Sequence, residues 1–123
     1  MNFQLENGSL YCWQWDIRQK IEVEGLEELN LTYPVFLIGN SKDKTGLYKI
    51  VPTQTEKWYI SIPDEVLQKE GWGDVYLYDE STGTTKLTWR FTIKKKEKPQ
   101  DYVYEPSEFV TLMELNLKVE EIT

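Results

Sequence analysis

The chain has 123 residues, with 14 basic and 21 acidic side chains, a formal net charge of −7, no histidine and a single cysteine. This length fits one domain with its own hydrophobic core, and the acidic balance argues against a nucleic-acid partner. One cysteine excludes an internal disulfide. The sequence has neither an apolar run of about 18 residues nor a signal peptide at its N-terminus, so we expect no membrane partner.

Short segments with period-two alternation follow one another through the first three quarters of the chain. We predict strands at residues 10–17, 19–24, 33–38, 46–51, 57–62, 75–78 and 86–93. The first has apolar side chains at alternate positions, namely Tyr11, Trp13, Trp15 and Ile17. The second should turn Ile21 and Val23 inward. The two strands at 46–51 and 57–62 are predicted to pair with each other across residues 52–56.

Residues 33–38 are apolar on both faces, which is typical of a central strand. Pro34 lacks a backbone N–H, so we expect it at the start of that strand. A short helical turn is predicted after Pro63, and Gly71 should end it.

The clearest pattern is a predicted hairpin near residues 74–96. Its second strand alternates apolar Leu87, Trp89, Phe91 and Ile93 with polar neighbours. The segment Ser81-Thr82-Gly83 is a turn signal, because glycine adopts a positive φ without strain. About seven short strands and no alternation of strands with helices predict an all-β sandwich or barrel.

The C-terminal segment differs in character from the strands. Residues 94–98 form a charged run, which we interpret as a solvated hinge, and Pro99 follows it. We therefore predict a domain at residues 1–96 and an arm at 97–123 that leaves the sheet without adding a strand. The arm's apolar spacing fits a short helix within 107–122, although the same residues also alternate as in a strand. The side chains predicted to contact a partner are Tyr102, Tyr104, Phe109, Leu112, Met113, Leu115 and Val119.

The sequence lacks the residue sets on which common active sites depend. Without histidine there is no Ser-His or Cys-His pair, and the usual zinc ligands are missing, so we expect no enzyme activity, metal or cofactor. Cys12 should be a small hydrophobic residue rather than a reactive thiol. Most aromatic residues are in phase with aliphatic neighbours and are predicted to be core. Trp72, between two glycines in a predicted loop, is the best exposed ring for stacking on a ligand.

Two stretches resemble a known family. Residues 10–20, LYCWQWDIRQK, and residues 98–108, KPQDYVYEPSE, resemble motifs of phage and prophage virion proteins from Gram-positive hosts, namely the baseplate upper-protein-like N-terminal domains and related head- or tail-fibre proteins. The resemblance implies an immunoglobulin-like β-sandwich that anchors a fibre to the particle. Arg18 stands where the family usually has glycine, and no fibre domain follows residue 123, so we expect a stand-alone anchor or a capsid-decorating subunit.

The resulting hypothesis is a non-enzymatic virion structural protein, made in the host cytoplasm, that assembles through its arm with other virion proteins. A homo-oligomer is expected, and a trimer is favoured because the related fibres are trimeric. One alternative is a small carbohydrate-binding β-sandwich module that uses Trp72. A weaker alternative is a hydrolase with a pair of carboxylates among the 21 acidic residues.

Overall fold

The protein is an all-β sandwich, as predicted. The computed structural model describes residues 1–43, 46–104, 106 and 109–110. Within them the strands are β1 (Asn2–Leu5), β2 (Tyr11–Trp13), β3 (Lys20–Glu24), β4 (Pro34–Asn40), β5 (Leu47–Ile50), β6 (Thr53–Gln54), β7 (Trp58–Ser61), β8 (Gly71–Asp79), β9 (Thr84–Lys94) and β10 (Phe109–Val110). Two 3-10 helices lie at Leu26–Leu29 and Asp64–Gln68.

The strands form two sheets that face each other across one core. A four-stranded sheet has the order β1-β3-β7-β6, and a six-stranded sheet has the order β10-β5-β4-β8-β9-β2. Strand β2 runs parallel to β9, whereas β8 and β9 are an antiparallel hairpin. The core contains, among others, Ile21, Val23 and Ile60 from the small sheet and Phe36, Ile38, Val75, Leu77, Phe91 and Ile93 from the large sheet.

Strand β4 is central, and it is buried on both sides as its sequence predicts. Pro34 is its first residue and pairs with Asp79 of β8. Phe36 and Ile38 face the core between the sheets, whereas Leu37 packs with partly buried side chains on the outer side. A central strand uses its backbone N–H groups to bond to both neighbouring strands. Proline has no N–H, and at the end of the strand it interrupts none of these bonds within the sheet.

The predicted hairpin is confirmed. On β9, Phe91 and Ile93 are buried, and Leu87 and Trp89 pack against the same core. The connecting turn contains Gly83 with φ +69°, a left-handed conformation that favours glycine. Gly73 of β8 lies directly across from Phe91, and the Phe91 ring occupies the space that a side chain at position 73 would need.

The first predicted strand is shorter than expected, and its aromatic residues do not share one face. It ends at Trp13 instead of residue 17. Trp15 has φ 72° and Arg18 has φ 55°, both in the left-handed region. The Trp15 N–H donates to the Leu67 carbonyl (2.8 Å), and the Arg18 N–H donates to Asp64 Oδ1 (2.9 Å). These bonds to the 3-10 helix region take the backbone out of the sheet.

The predicted pairing of residues 46–51 with 57–62 is wrong. Strand β5 pairs with β4 in the large sheet, whereas β7 pairs with β3 in the small sheet. The connection between them therefore crosses from one sheet to the other. The reason is packing, because this arrangement places Ile60 next to Ile21 in the core. Side chains on both faces of β5 are partly buried, so the sequence pattern does not indicate which of the two sheets this strand joins.

Strand β1 was not predicted. It pairs with β3, and the Phe3 ring meets the Phe36 ring edge-on at 6.0 Å and stacks on the Trp89 ring at 5.2 Å. Met1, Phe3 and Leu5 alternate with polar residues here, but a pattern of three is too short to indicate a strand. Its stability comes from these tertiary contacts.

The arm adds a strand, contrary to the expected exit from the sheet. Residues Phe109 and Val110 pair antiparallel with Tyr48 and Leu47 of β5, so the predicted helix does not form at these two positions. An edge strand offers unpaired backbone groups, and pairing with them satisfies the backbone of both segments. The rest of the predicted helix, including Leu112, Met113, Leu115 and Val119, lies outside the described residues.

Candidate functional site

The first of the two resembling stretches contacts the end of β9, directly before the second stretch begins. The Gln14 N–H donates to the Lys94 carbonyl (2.8 Å), which continues the pairing of β2 with β9. The Trp15 Nε1–H donates to the Lys96 carbonyl (3.0 Å), and Lys96 Nζ lies 2.9 Å from Asp16 Oδ1. The Lys96 N–H also donates to Gln14 Oε1 (3.3 Å), so four polar contacts join residues 14–16 to residues 94–96.

Aromatic packing extends this junction into the arm. The Trp15 and Tyr102 rings meet edge-on with centroids 5.3 Å apart, and the Tyr102 and Tyr104 rings stack at 5.6 Å. Lys98 Nζ lies 5.2 Å from the Trp15 centroid, within cation–π distance. We call the surface formed by Trp15, Tyr102, Val103 and Tyr104 the clasp surface. It borders a cavity of about 400 Å³ that Arg18 and Asp64 also line.

The two tyrosines predicted to contact a partner have different environments. Tyr102 is half-buried, and its hydroxyl accepts a hydrogen bond from Gln68 Nε2 (3.3 Å). Burial, together with the nearby Asp64, Tyr104 and Glu65, raises the pKa of Tyr102, so its phenol stays neutral. Tyr104 is 38% exposed and its neighbour Val103 is 75% exposed. The clasp surface therefore holds the arm through Tyr102 and presents Val103 and Tyr104 to solvent.

A second surface lies on the outer face of the large sheet. Thr92 of β9 pairs with Trp72 on one side and with Tyr11 on the other, and Trp13 follows on β2. Trp72 is 46% exposed, as predicted, although it lies in strand β8 rather than in a loop. Trp13 is 41% exposed, which contradicts its assignment to the core.

Trp13 points outward because Cys12 occupies the inward position of β2. Cys12 pairs with Ile93, whose side chain faces the core, and alternation then directs Tyr11 and Trp13 away from it. Period-two alternation in the sequence correctly grouped Tyr11 with Trp13 on one face, but it did not show which face is covered. The sequence pattern favoured rings inward and Cys12 outward, because several large rings alternate on one face and Cys12 is small.

Two cations lie close to the aromatic rings on this face. Lys94 Nζ is 3.8 Å from the Tyr11 centroid and 5.8 Å from the Trp13 centroid. The Arg90 guanidinium carbon is 5.4 Å from the Trp72 centroid, and Arg90 Nε is 2.7 Å from Asp74 Oδ1. Trp13 and Trp72 border an open groove of about 630 Å³, which we call the outer groove. It is lined by Trp13, Lys42, Glu70, Gly71, Trp72, Thr92, Ile93, Lys94 and Lys95.

Cys12 is in an environment that suppresses thiol chemistry. Its side chain is fully buried, and burial, with a smaller contribution from Asp16, raises the pKa of the thiol to about 12. The reactive species of cysteine is the thiolate, which is scarce at such a pKa. Cys12 therefore acts as a core residue, whereas the sequence predicted a partly buried hydrophobic residue on the face opposite the aromatic rings.

The buried carboxylates Asp64 and Asp79 accept hydrogen bonds from the protein itself. Asp64 Oδ1 accepts from the Arg18 N–H, and Asp79 Oδ1 accepts from both the N–H and the hydroxyl of Ser81. The hydroxyl of Ser81 is the main cause of a lowered pKa at Asp79. The contacts of Asp79 stabilise the turn after β8, and the contact of Asp64 holds the segment after β2 to the second 3-10 helix. In the described part of the chain, no cluster of three metal-ligating side chains is found, and no helix is long and apolar enough to cross a bilayer.

Comparison of the chain with protein-family models, with curated proteins and with solved structures finds no match.

Proposed function

We propose that the protein is a non-enzymatic structural subunit of a phage particle, an anchor or decoration protein of capsid, fibre or baseplate that assembles through residues 97–123. The observation that supports this proposal best is the contact between the two resembling stretches. Trp15 lies in the first stretch and Tyr102 in the second, and their rings pack against each other. Two motifs that serve one task are expected to lie together in the folded protein.

The contact has a direct structural consequence for the arm. Because Tyr102 is held by Trp15 and Gln68, the chain leaves the sandwich at a defined point. Val103 and Tyr104 are then directed to solvent, and residues 109–110 pair with the edge of β5. A sandwich that fixes Tyr102 and exposes Val103 and Tyr104 is suited to presenting these two residues to a neighbouring subunit.

The composition of the arm supports assembly. Beyond the exposed Val103 and Tyr104, its sequence contains further apolar side chains, Leu112, Met113, Leu115, Leu117, Val119 and Ile122. Large exposed apolar patches on soluble proteins mark interaction surfaces. Edge strands such as β10 also accept strands from other chains. Burial of the arm against another copy, or against another virion protein, removes Val103, Tyr104 and the free edge of β10 from water.

The oligomeric state of the full-length chain tests the assembly proposal. Size exclusion with light scattering is expected to give an oligomer, with a trimer favoured, that dissociates on dilution. Tyr104→Asp and Leu115→Asp each place a charge in the proposed interface and should shift the equilibrium to monomer. Tyr33→Asp changes an exposed tyrosine outside the clasp surface and should leave the oligomer intact.

Location on the particle tests the virion assignment. Electron microscopy of particles purified from the host that carries this sequence should show density for the subunit at a repeated position. Added protein should also bind particles that lack it, and Tyr104→Asp should weaken that binding. A full-length chain that is monomeric at high concentration and does not bind particles would contradict the proposal.

A further inference from the structure

We propose that the outer groove binds an anionic carbohydrate. This site uses neither the clasp surface nor the arm, and it therefore goes beyond the assembly role. It is lined by two exposed aromatic rings, Trp13 and Trp72, with Thr92 between their strands, and the half-buried Tyr11 ring lies beside it in contact with Lys94. Lys94 and Lys95 lie on the same rim of the groove.

The rings are spaced for contact with an extended ligand. Neighbouring strands lie about 4.8 Å apart, so the backbones at Trp72 and Tyr11, on either side of Thr92, are roughly 10 Å apart. Trp13 is two residues beyond Tyr11 on β2, a further step of roughly 7 Å. Trp72 and Trp13 thus lie on opposite walls of the groove, with Thr92 between β8 and β2. A ligand that spans the groove contacts both walls at once.

The charges around the groove favour an anion. Lys42 is paired with Glu70 and Arg90 with Asp74, whereas Lys94 and Lys95 make no ion pair with a carboxylate among the described residues. Lys94 is held between the rings of Tyr11 and Trp13 by cation–π contacts. In a chain of net charge −7, two unneutralised ammonium groups beside exposed rings fit a ligand that carries carboxylate or phosphate groups.

The combination of groups identifies the ligand class as carbohydrate. Sugar rings present C–H faces that pack on aromatic side chains, and their hydroxyls bond to groups such as the Thr92 hydroxyl. A nucleic acid has a phosphate at every nucleotide and binds along a continuous basic track. Here Glu70 and Asp74 interrupt the basic surface, which disfavours such a strand. An acidic sugar with spaced charges matches the observed pattern.

The test is calorimetric titration of the full-length protein with matched polysaccharides. The carboxylated probe is a polygalacturonate oligosaccharide, compared with its methyl ester. The phosphorylated probe is phosphomannan, compared with neutral mannan. We expect saturable binding of at least one acidic probe, weaker binding of its neutral counterpart, and loss of affinity as salt is raised. Whichever acidic probe binds identifies the charged group that Lys94 and Lys95 recognise.

Variants connect binding to the groove. Trp72→Ala and the double variant Lys94→Gln with Lys95→Gln should each lower affinity by about tenfold. Trp72→Phe retains a ring and should keep most of the affinity, which separates stacking from misfolding. The controls are Tyr33→Ala and Lys86→Gln, an exposed ring and an exposed cation near the other end of the large sheet, and they should bind as the natural protein does.

Each other outcome refutes the inference. Absence of binding to every probe, equal binding of acidic and neutral forms, or preference for single-stranded DNA over all four polysaccharides would overturn it. Binding of an acidic probe that is unchanged both in Trp72→Ala and in the double variant Lys94→Gln with Lys95→Gln would also overturn it. Oligomerisation through the arm is measured independently by light scattering, so failure of this site and failure of the assembly proposal give different results.

Discussion

The close approach of Phe91 to Gly73 makes Gly73→Ala the sharpest test of the hairpin register. The two residues are paired across β8 and β9. A Cβ at position 73 would lie 2.1 Å from Phe91 Cζ, 2.4 Å from Cε1 and 2.7 Å from Cε2. These distances are far below van der Waals contact. Either the buried Phe91 ring or the strand backbone must move to accommodate the methyl group.

The size of the effect follows from the packing of that ring. Extra methyl groups in a well-packed core cost about 1–3 kcal/mol, and complete loss of a phenylalanine ring costs about 3–5 kcal/mol. An alanine in a strand would otherwise gain about 0.5–1 kcal/mol over glycine. We therefore expect Gly73→Ala to lower the free energy of unfolding by about 2–3 kcal/mol. For a domain of this size, this corresponds to a melting temperature roughly 10 °C lower.

Urea unfolding followed by tryptophan fluorescence measures this loss. Gly8→Ala is the control, because nothing lies within 4 Å of its Cβ and only its φ of +76° opposes the substitution; it should cost about 1 kcal/mol. Phe91→Leu removes the ring, so Gly73→Ala in that background should cost clearly less than in the natural chain. If the free energy of unfolding of Gly73→Ala lies within about 0.5 kcal/mol of the value for the natural protein, the inferred register of β8 on β9 is wrong.

Two further predictions concern titrating groups. Because burial raises the pKa of Cys12 to about 12 from an ordinary 9.0, its alkylation by iodoacetamide at pH 8 should be about a thousandfold slower in the folded protein than in urea; comparable rates measured by mass spectrometry would contradict its burial. The lowered pKa of Asp79 implies that its carboxylate stabilises the fold above the ordinary value of 3.8 and that this contribution is lost as pH falls through the folded-state pKa. Asp79→Asn should therefore lose less stability than the natural protein on acidification below that value, and parallel acid-unfolding curves for the two would refute this role.

Local patterns in the sequence determined the elements whose two faces differ strongly. Alternation predicted that Phe91 and Ile93 share the core face of β9, and the structure confirms it. The apolar run of residues 33–38 predicted the central position of β4, and Gly83 predicted the hairpin turn. In each case the signal lies within a few residues, because alternation and turn geometry are properties of the local backbone.

Tertiary contacts decided the features that depend on distant partners. Strand β1 forms because Phe3 packs on Phe36 and Trp89. Strands β5 and β7 join different sheets because strands from the whole chain compete as pairing partners. The meeting of Trp15 with Tyr102 likewise requires the fold to bring together residues far apart in sequence. The outward direction of Trp13 follows from the pairing of Cys12 with Ile93, because alternation groups side chains by face while packing selects the face that is buried.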